Sequence, residues 1–503
     1  MPASANVSDL LAAGLDESAA IEALDRPALS YAALRAHVHA TVAALNALGI
    51  GRGDRVGIVL PNGPEMATAF LCVAAGAVAA PLNPAYRAEE FEFYLSDLRA
   101  KAVIVEAGST GPAVDVARKL NISVFGLHAD PNLAGAFRLT GIGGGPAAQK
   151  GRASADDIAL ILHTSGTTSR PKIVPLSQRN VCVSAANIAE TLAFTAADRG
   201  LGVMPLFHIH GLIPGLLAPL SRGGTVVCTP GFDPLRFFAQ MKAARPTWVT
   251  AVPTMHQAIL ARAARNKDVI AAHPLRFLRS SSASMPPRLI GELEAVFGAP
   301  LIEAYGMTEA AHQMASNPLQ GARKPGAVGP AAGPEIAIMG EDGALLKAGE
   351  IGEVVIRGLN VTAGYENNPT ANADAFRNGW FRTGDQGALD DDGYLTLTGR
   401  LKEIINRGGE KISPREVDEA LMDHAGVAQV VTFATKHDKL GEDVAAAVVL
   451  REGASATESE LREFVAKRLA PFKVPRKIVF LAEIPKGATG KLQRIGLAEK
   501  LGL

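Results

Sequence analysis

Short β-branched and apolar runs alternate with stretches of helical hydrophobic period through most of this chain, and that alternation leaves few ways to fold it. Residues 55–60 (RVGIVL) read as a strand, 65–80 as a helix and 102–106 (AVIVE) as the next strand. After residue 200 the rhythm returns with GTVVCTP, a helix through Phe237 and Met241, TWVTAVP, a helix from Thr254, and FLRSSSA. Pro286-Pro287 then opens a helix with Leu289, Leu293 and Val296 on one face, followed by the strand LIEAYG. Parallel strands need a crossover, and a helix supplies one while covering the sheet. The pattern predicts two helix-covered sheets. Residues 121–150, rich in Gly and Ala, read as a surface connection. Beyond Glu335, strands between Gly-rich turns (GEVVIRGLNVTAGY, GYLTLTGR) predict a smaller β subdomain. After Arg400, Ser413 with Glu416 and Thr457 with Glu460 have the form of capping boxes, and strands 427–434 and 444–450 lie between the helices they start. The expected fold class is α/β, with a large N-terminal domain of two covered sheets plus the β subdomain, and a small α+β C-terminal domain.

A length of 503 residues suits two to four domains. Lys+Arg 50 against Asp+Glu 50 gives no net charge, which argues against nucleic acid as a partner. Hydrophobic residues at 48% and charged residues at 20% exclude disorder as the dominant state. Cys72, Cys182 and Cys228 are far apart and form no C-x-x-C pair, which argues against a disulfide scaffold or a structural zinc site and fits a cytoplasmic protein. Two apolar stretches resemble membrane spans, but Pro81 ends residues 66–80 short of the ~20 a spanning helix needs. Residues 200–221 contain Pro205, Pro214, Pro219, His208 and His210. Both read as core, so no membrane span is expected. The start, MPASANVSDLL, has no secretory pattern and the end, Leu-Gly-Leu, is no peroxisomal address.

Chemistry concentrates in a few motifs. The strand IALIL opens into His163-Thr-Ser-Gly-Thr-Thr-Ser-Arg-Pro-Lys172, a loop offering backbone N–H groups, hydroxyls and one cation to a polyphosphate, without the spacing of a Walker A loop. Alone, such a loop is more often just a solvated turn. It gains meaning beside Glu303-Ala-Tyr-Gly-Met-Thr-Glu309, Arg382-Thr-Gly-Asp385, Gly399-Arg-Leu-Lys402, Arg407-Gly-Gly-Glu-Lys411 and Pro485-Lys-Gly-Ala-Thr-Gly-Lys-Leu-Gln-Arg494. Tyr305 offers a flat face for adenine, and Asp385 offers two oxygens to the paired ribose hydroxyls with Arg400 supporting the sugar. Glu309, next to Thr308, can hold Mg²⁺ through one carboxylate. Lys491, behind Gly490 among small residues, can meet charge developing at a phosphate.

In this order the motifs resemble the core of the adenylate-forming superfamily of acyl-CoA synthetases, luciferases and peptide synthetase adenylation domains, across essentially the whole chain. The resemblance implies ATP, Mg²⁺ and coenzyme A as cofactor and co-substrates, and a small acid as the remaining partner. It assigns Thr164, Ser165, Gly166, Thr167, Thr168, Lys172, Ser282, Glu303, Ala304, Tyr305, Thr308, Asp385, Arg400 and Lys491 to the nucleotide. Lys491, Thr308, Glu309 and His208 would be catalytic, with Glu309 on the metal. Gly408 and Gly409 would line the CoA path, and Lys402 would be the hinge of a mobile C-terminal domain, dividing the chain into 1–399, 400–402 and 403–503. Gly487 and Ile173 depart from the usual pattern without removing a charge.

HTSGTTSRPK, RSSSASMPPRL, EAYGMTEAAHQMASNPL, RKPGAVG and INRGGEKISPREVD resemble the oxalate–CoA ligase branch, above all in Ser169, His312, Ser316 and Asn317. A second carboxylate, once enclosed, must be hydrogen-bonded. His208, His210, Ser281, Gly306 and His312 are the expected acid pocket, with Ser280 and Ser282 as further donors. Other readings are a medium-chain or aromatic acid–CoA ligase, with Gly306, Met307 and Val252 as a hydrophobic slot, and a nucleotide-binding scaffold without catalysis. His208 and His210 as a metal pair lack a third ligand.

Overall fold

The computed structural model describes residues 6–164, 171–486 and 492–503. Ser165, Gly166, Thr167, Thr168 and Lys491 lie outside them.

Two mainly parallel sheets carry the large N-terminal part, as the alternation predicts. One has seven strands, in the order Phe137–Thr140, Ser123–Ala129, Ala102–Glu106, Arg55–Val59, Val78–Pro81, Ile158–His163, Ile173–Ser177. The other has eight, in the order His312–Ser316, Leu301–Met307, Phe277–Ser280, Trp248–Ala251, Arg199–Gly202, Thr225–Cys228, Ala19–Glu22, Leu29–Ser30. The helix Pro64–Ala74 is buried from Met66 to Ala74 and touches strands of both sheets, which is why its sequence is apolar on every side. A single apolar core runs through both sheets and this helix.

Two expectations change. The apolar run 65–80 is a helix only to Ala74, and its last residues form the strand Val78–Pro81. Gly76 lies at the break, where a Cβ would come within 2.7 Å of Val42. Residues 121–150 are more than a connection, since Ser123–Ala129 and Phe137–Thr140 pair antiparallel at the edge of the seven-stranded sheet. The 200–221 run is a strand followed by short helical turns, and no helix among the described residues is long and apolar enough to cross a membrane.

The β subdomain has five strands, with Trp380–Leu389 between Gly352–Arg357 and Leu395–Arg400. Past it, the long pair Val427–His437 and Gly441–Leu450 is covered by the helices Pro414–Met422 and Glu458–Ala466. The capping box of Thr457 and Glu460 forms; that of Ser413 is half made. Ser413 accepts from the Glu416 N–H, but the Glu416 carboxylate takes Lys473 at 2.7 Å instead. The apolar cores of this part contain no residue before Ile405. Its polar contacts to the large part include long ones: Gln257 Nε2 to Ala428 O at 3.5 Å, Arg288 Nη1 to Asp423 O at 3.5 Å and Arg451 to Glu292 at 4.0 Å.

Candidate active site

Parallel sheets present their loops at the carboxyl ends of the strands, where ligands of α/β proteins bind. Here the ends of Ile158–His163, Trp248–Ala251, Phe277–Ser280 and Leu301–Met307 border a cleft of ≈ 570 Å³ that the C-terminal part closes from above. Thr164, His208, Ser282, Ala304, Tyr305, Gly306, Thr308, Asp385 and Arg400 line it. Residues as far apart in the chain as Thr164 and Ile495 are thereby drawn toward one space, with Leu492, Gln493, Arg494 and Ile495 on its wall.

Asp385 is almost fully buried. Tyr305 donates its hydroxyl to Oδ2, and Arg400 Nε lies 3.0 Å from Oδ1. Burial, and next the Asp385 charge, hold the Tyr305 hydroxyl firmly protonated. The three residues form a polar end with an aromatic face, suited to a nucleoside.

Glu309 lies off the cleft wall in a 3₁₀ turn after the Leu301–Met307 strand. Burial pushes its carboxyl above the usual range, opposed by the Tyr365 hydroxyl, which donates to Oε1 at 2.7 Å. Lys172 Nζ sits 4.3 Å from the Tyr365 ring centroid, so the tyrosine stands between the two charges expected at the phosphates. Tyr365 escaped the sequence reading because its Gly-rich surroundings read only as a turn. Its segment is tied down by Thr362 N to Glu309 O at 2.7 Å and by the Arg55–Glu366 ion pair at 2.7 Å. Among the described residues no three His, Cys, Asp or Glu side chains gather as a metal cage. A divalent ion here would arrive on phosphate oxygens, and the single Glu309 carboxylate is the share Mg²⁺ usually takes from protein.

His208 lines the cleft and caps a short helix, its Nδ1 accepting the His210 N–H at 3.2 Å. His210 is fully buried, with Nδ1 3.0 Å from Ser282 Oγ and Nε2 2.6 Å from Thr250 Oγ1. The His312 ring centroid is 5.0 Å from that of His210. Gly306 separates His312 from the cleft, and a Cβ at 306 would approach His312 Nδ1 to 3.2 Å and collide with its carbonyl. Only glycine lets the two backbones approach this closely. Ser281 is fully buried behind Ser282 and does not line the cleft.

Gly408 and Gly409 form the turn between Ile405–Arg407 and Glu410–Ile412, at φ +62° and +97°, off the cleft wall. Lys402 lies exposed in the 3₁₀ turn Leu401–Glu403. Arg494, unassigned from sequence, binds Asp418 at 2.7 Å and Glu403 at 3.1 Å across the cleft's upper wall.

Glu303 points away from the cleft, 2% exposed, with the Met285 N–H on Oε1 at 3.1 Å. Burial pushes its pKa up to about 7. The folded protein therefore holds this proton more tightly than the unfolded chain, so the stability it lends is complete below the ordinary carboxyl range and is lost as pH rises through about 7. Glu303→Gln removes that loss. The melting temperature of the variant relative to wild type is expected to rise by about 3 °C between pH 5 and pH 8.5. A difference that stays flat across those pH values would show that Glu303 does not titrate there.

Residues 12–366 match the AMP-binding enzyme family and residues 416–491 match the AMP-binding enzyme C-terminal domain. The oxalate–CoA ligase of Arabidopsis thaliana is 47% identical over 89% of this chain and 88% of that protein. The probable CoA ligase CCL9 of Humulus lupulus is 47% identical over 97% of this chain and 95% of that protein. The crystal structure of ATP-bound MatB from Rhodopseudomonas palustris superposes with a TM-score of 0.89 at 32% identity, covering 99% of each chain. With both parts matched in order and the motifs gathered at one cleft, this chain belongs to the AMP-binding enzyme family.

Proposed function

We propose that oxalate is the acid this acid–CoA ligase activates, through oxalyl-AMP to oxalyl-CoA. The observation that carries the reading is the cleft end beside Gly306, where Ser282 and His208 line the wall and His210 and His312 stand directly behind. That end offers hydrogen-bond donors where a fatty or aromatic acid needs an apolar slot. Similarity to oxalate–CoA ligases of Arabidopsis thaliana, at 47% identity, and Saccharomyces cerevisiae, at 43%, supports it.

In the first step a carboxylate oxygen attacks the α-phosphorus of ATP, and the bond to the bridging oxygen breaks to release pyrophosphate. Thr164, Lys172 and the Ser165–Thr168 loop would hold the phosphates, Tyr305 the adenine, and Asp385 with Arg400 the ribose. Glu309 would hold Mg²⁺, which would supply positive charge beside the phosphates. Lys491 would meet the charge developing around the α-phosphate. In the second step the CoA thiolate attacks the acyl carbon and AMP leaves, with Gly408 and Gly409 bordering the thiol's path and His208 beside the acyl group.

The test is a panel of acids scored for pyrophosphate release and for CoA-dependent AMP formation. Oxalate is expected to exceed hexanoate, octanoate and benzoate by kcat/KM. Preference for octanoate or benzoate would overturn the substrate, and release of no pyrophosphate with any acid would overturn the ligase activity. For His312→Ala, kcat/KM with oxalate is expected to fall by about tenfold to a thousandfold, because the ring that packs against His210 behind the cleft wall is lost. An unchanged value would show that His312 does not support the acid end of the cleft.

A further inference from the structure

Arg279 is fully buried on the strand Phe277–Ser280, behind the acid end of the cleft. Its hydrogen-bond partners are neutral: Gln313 Oε1 at 3.2 Å from Nη2, and Thr250 Oγ1 and His210 Nε2, each 3.4 Å from Nη1. Among the described residues it has no ion pair. A buried cation without a matching carboxylate is costly, so its presence calls for a reason.

The donor inventory supplies one. A guanidinium only donates. Gln313 gives its amide hydrogens to Thr191 Oγ1 at 3.1 Å and Ala332 O at 2.9 Å, which turns its carbonyl oxygen to Arg279. Thr250 Oγ1 accepts from Arg279 and so has its own hydrogen to give, with His210 Nε2 only 2.6 Å away. Facing a hydroxyl hydrogen and a guanidinium, Nε2 carries the lone pair, and the ring hydrogen sits on Nδ1. Nδ1 then donates to Ser282 Oγ at 3.0 Å, and Ser282, which lines the cleft, is left to point its hydroxyl hydrogen into it. Ser282 is held at φ +76°, a left-handed conformation that serine rarely adopts and that clusters at functional sites.

We propose that Arg279 is a positioning residue for acid specificity: through Thr250 and His210 it fixes Ser282 as an obligate donor to the second carboxylate of the acid. The proposal rests on the dicarboxylate reading of the site. Burial lowers the Arg279 pKa to about 9, which still leaves it cationic at neutral pH. Its charge, unmatched among the described residues, stands behind the place where an anion would be enclosed.

The test is pyrophosphate exchange with oxalate and with acetate, in which a methyl group replaces the second carboxylate. Thr250→Val, Arg279→Met and Ser282→Ala are each expected to lower kcat/KM for oxalate by about tenfold or more, mainly through KM, and Thr250→Val and Arg279→Met, which do not line the cleft, are expected to keep acetate use and KM for ATP within about twofold. Arg279→Lys should recover part of the loss. Thr250→Val combined with Ser282→Ala should be no worse than Ser282→Ala alone, because both interrupt one relay. Multiplying losses in the double variant, or equal losses with both acids, would overturn the relay. Should Arg279→Met fail to fold, the near-isosteric Thr250→Val carries the test. A wild-type enzyme that rejects oxalate fails the substrate reading, whereas a wild-type enzyme that takes oxalate while these variants match it fails the relay alone.

Discussion

Lys491→Ala is expected to lower oxalate-dependent pyrophosphate exchange on the order of a thousandfold, the upper range for loss of one group that stabilises transition-state charge. The neighbours of Lys491 argue for this size. Leu492, Gln493, Arg494 and Ile495, the described residues that follow it, lie on the cleft wall. Arg494 is the nearest cation in sequence, but Asp418, Glu403 and the Thr432 carbonyl already engage its guanidinium. Its charge is spent within the C-terminal part. Attack of the thiol on preformed oxalyl-AMP expels AMP and not pyrophosphate, so that half-reaction should stay within about fivefold of wild type. Equal losses in both half-reactions would contradict a role confined to adenylation.

Lys402→Pro is expected to do the reverse, retaining adenylation within about threefold while lowering CoA consumption from preformed adenylate by about a hundredfold. The Leu492–Ile495 segment faces the cleft, whereas the Gly408-Gly409 turn of the same C-terminal part does not. One cleft that serves both steps must meet these two faces in turn. We propose that residues 400–402 are the hinge between domains 1–399 and 403–503. The separate apolar cores after Ile405 and the long polar contacts across the boundary suit a unit that turns as one body. Lys402 lies in the 3₁₀ turn Leu401–Glu403, whose φ of about −50 to −70° a proline ring matches. The variant would then accommodate this arrangement and resist leaving it. Wild-type rates in both half-reactions would remove the hinge from Lys402. A lowered melting temperature with loss of both would mean that proline damages the fold.

Much of the architecture was legible in the chain because it is written in short-range patterns. Period-2 and period-3.6 apolar spacing marked the strands and helices, and Pro287 and Thr457 opened helices where helix-start chemistry puts such residues. Where two elements merged into one apolar run, at 65–80, spacing alone did not reveal the break at Gly76. The Glu416 carboxylate left its expected cap for Lys473, a residue 57 positions away.

The chain by itself determined the family, through the order and chemistry of motifs such as EAYGMTE and RTGD, because each motif keeps its functional groups within a few residues. The convergence of those motifs was a tertiary matter. Tyr305 reaches Asp385 across 80 positions, and Tyr365 reaches Glu309 across 56. Arg279 read as one more residue of a strand until the sheet buried it against Thr250, His210 and Gln313. Strand order decides which loops become neighbours, and burial decides which charges go without water. Neither quantity has a local period, so only the folded chain sets them.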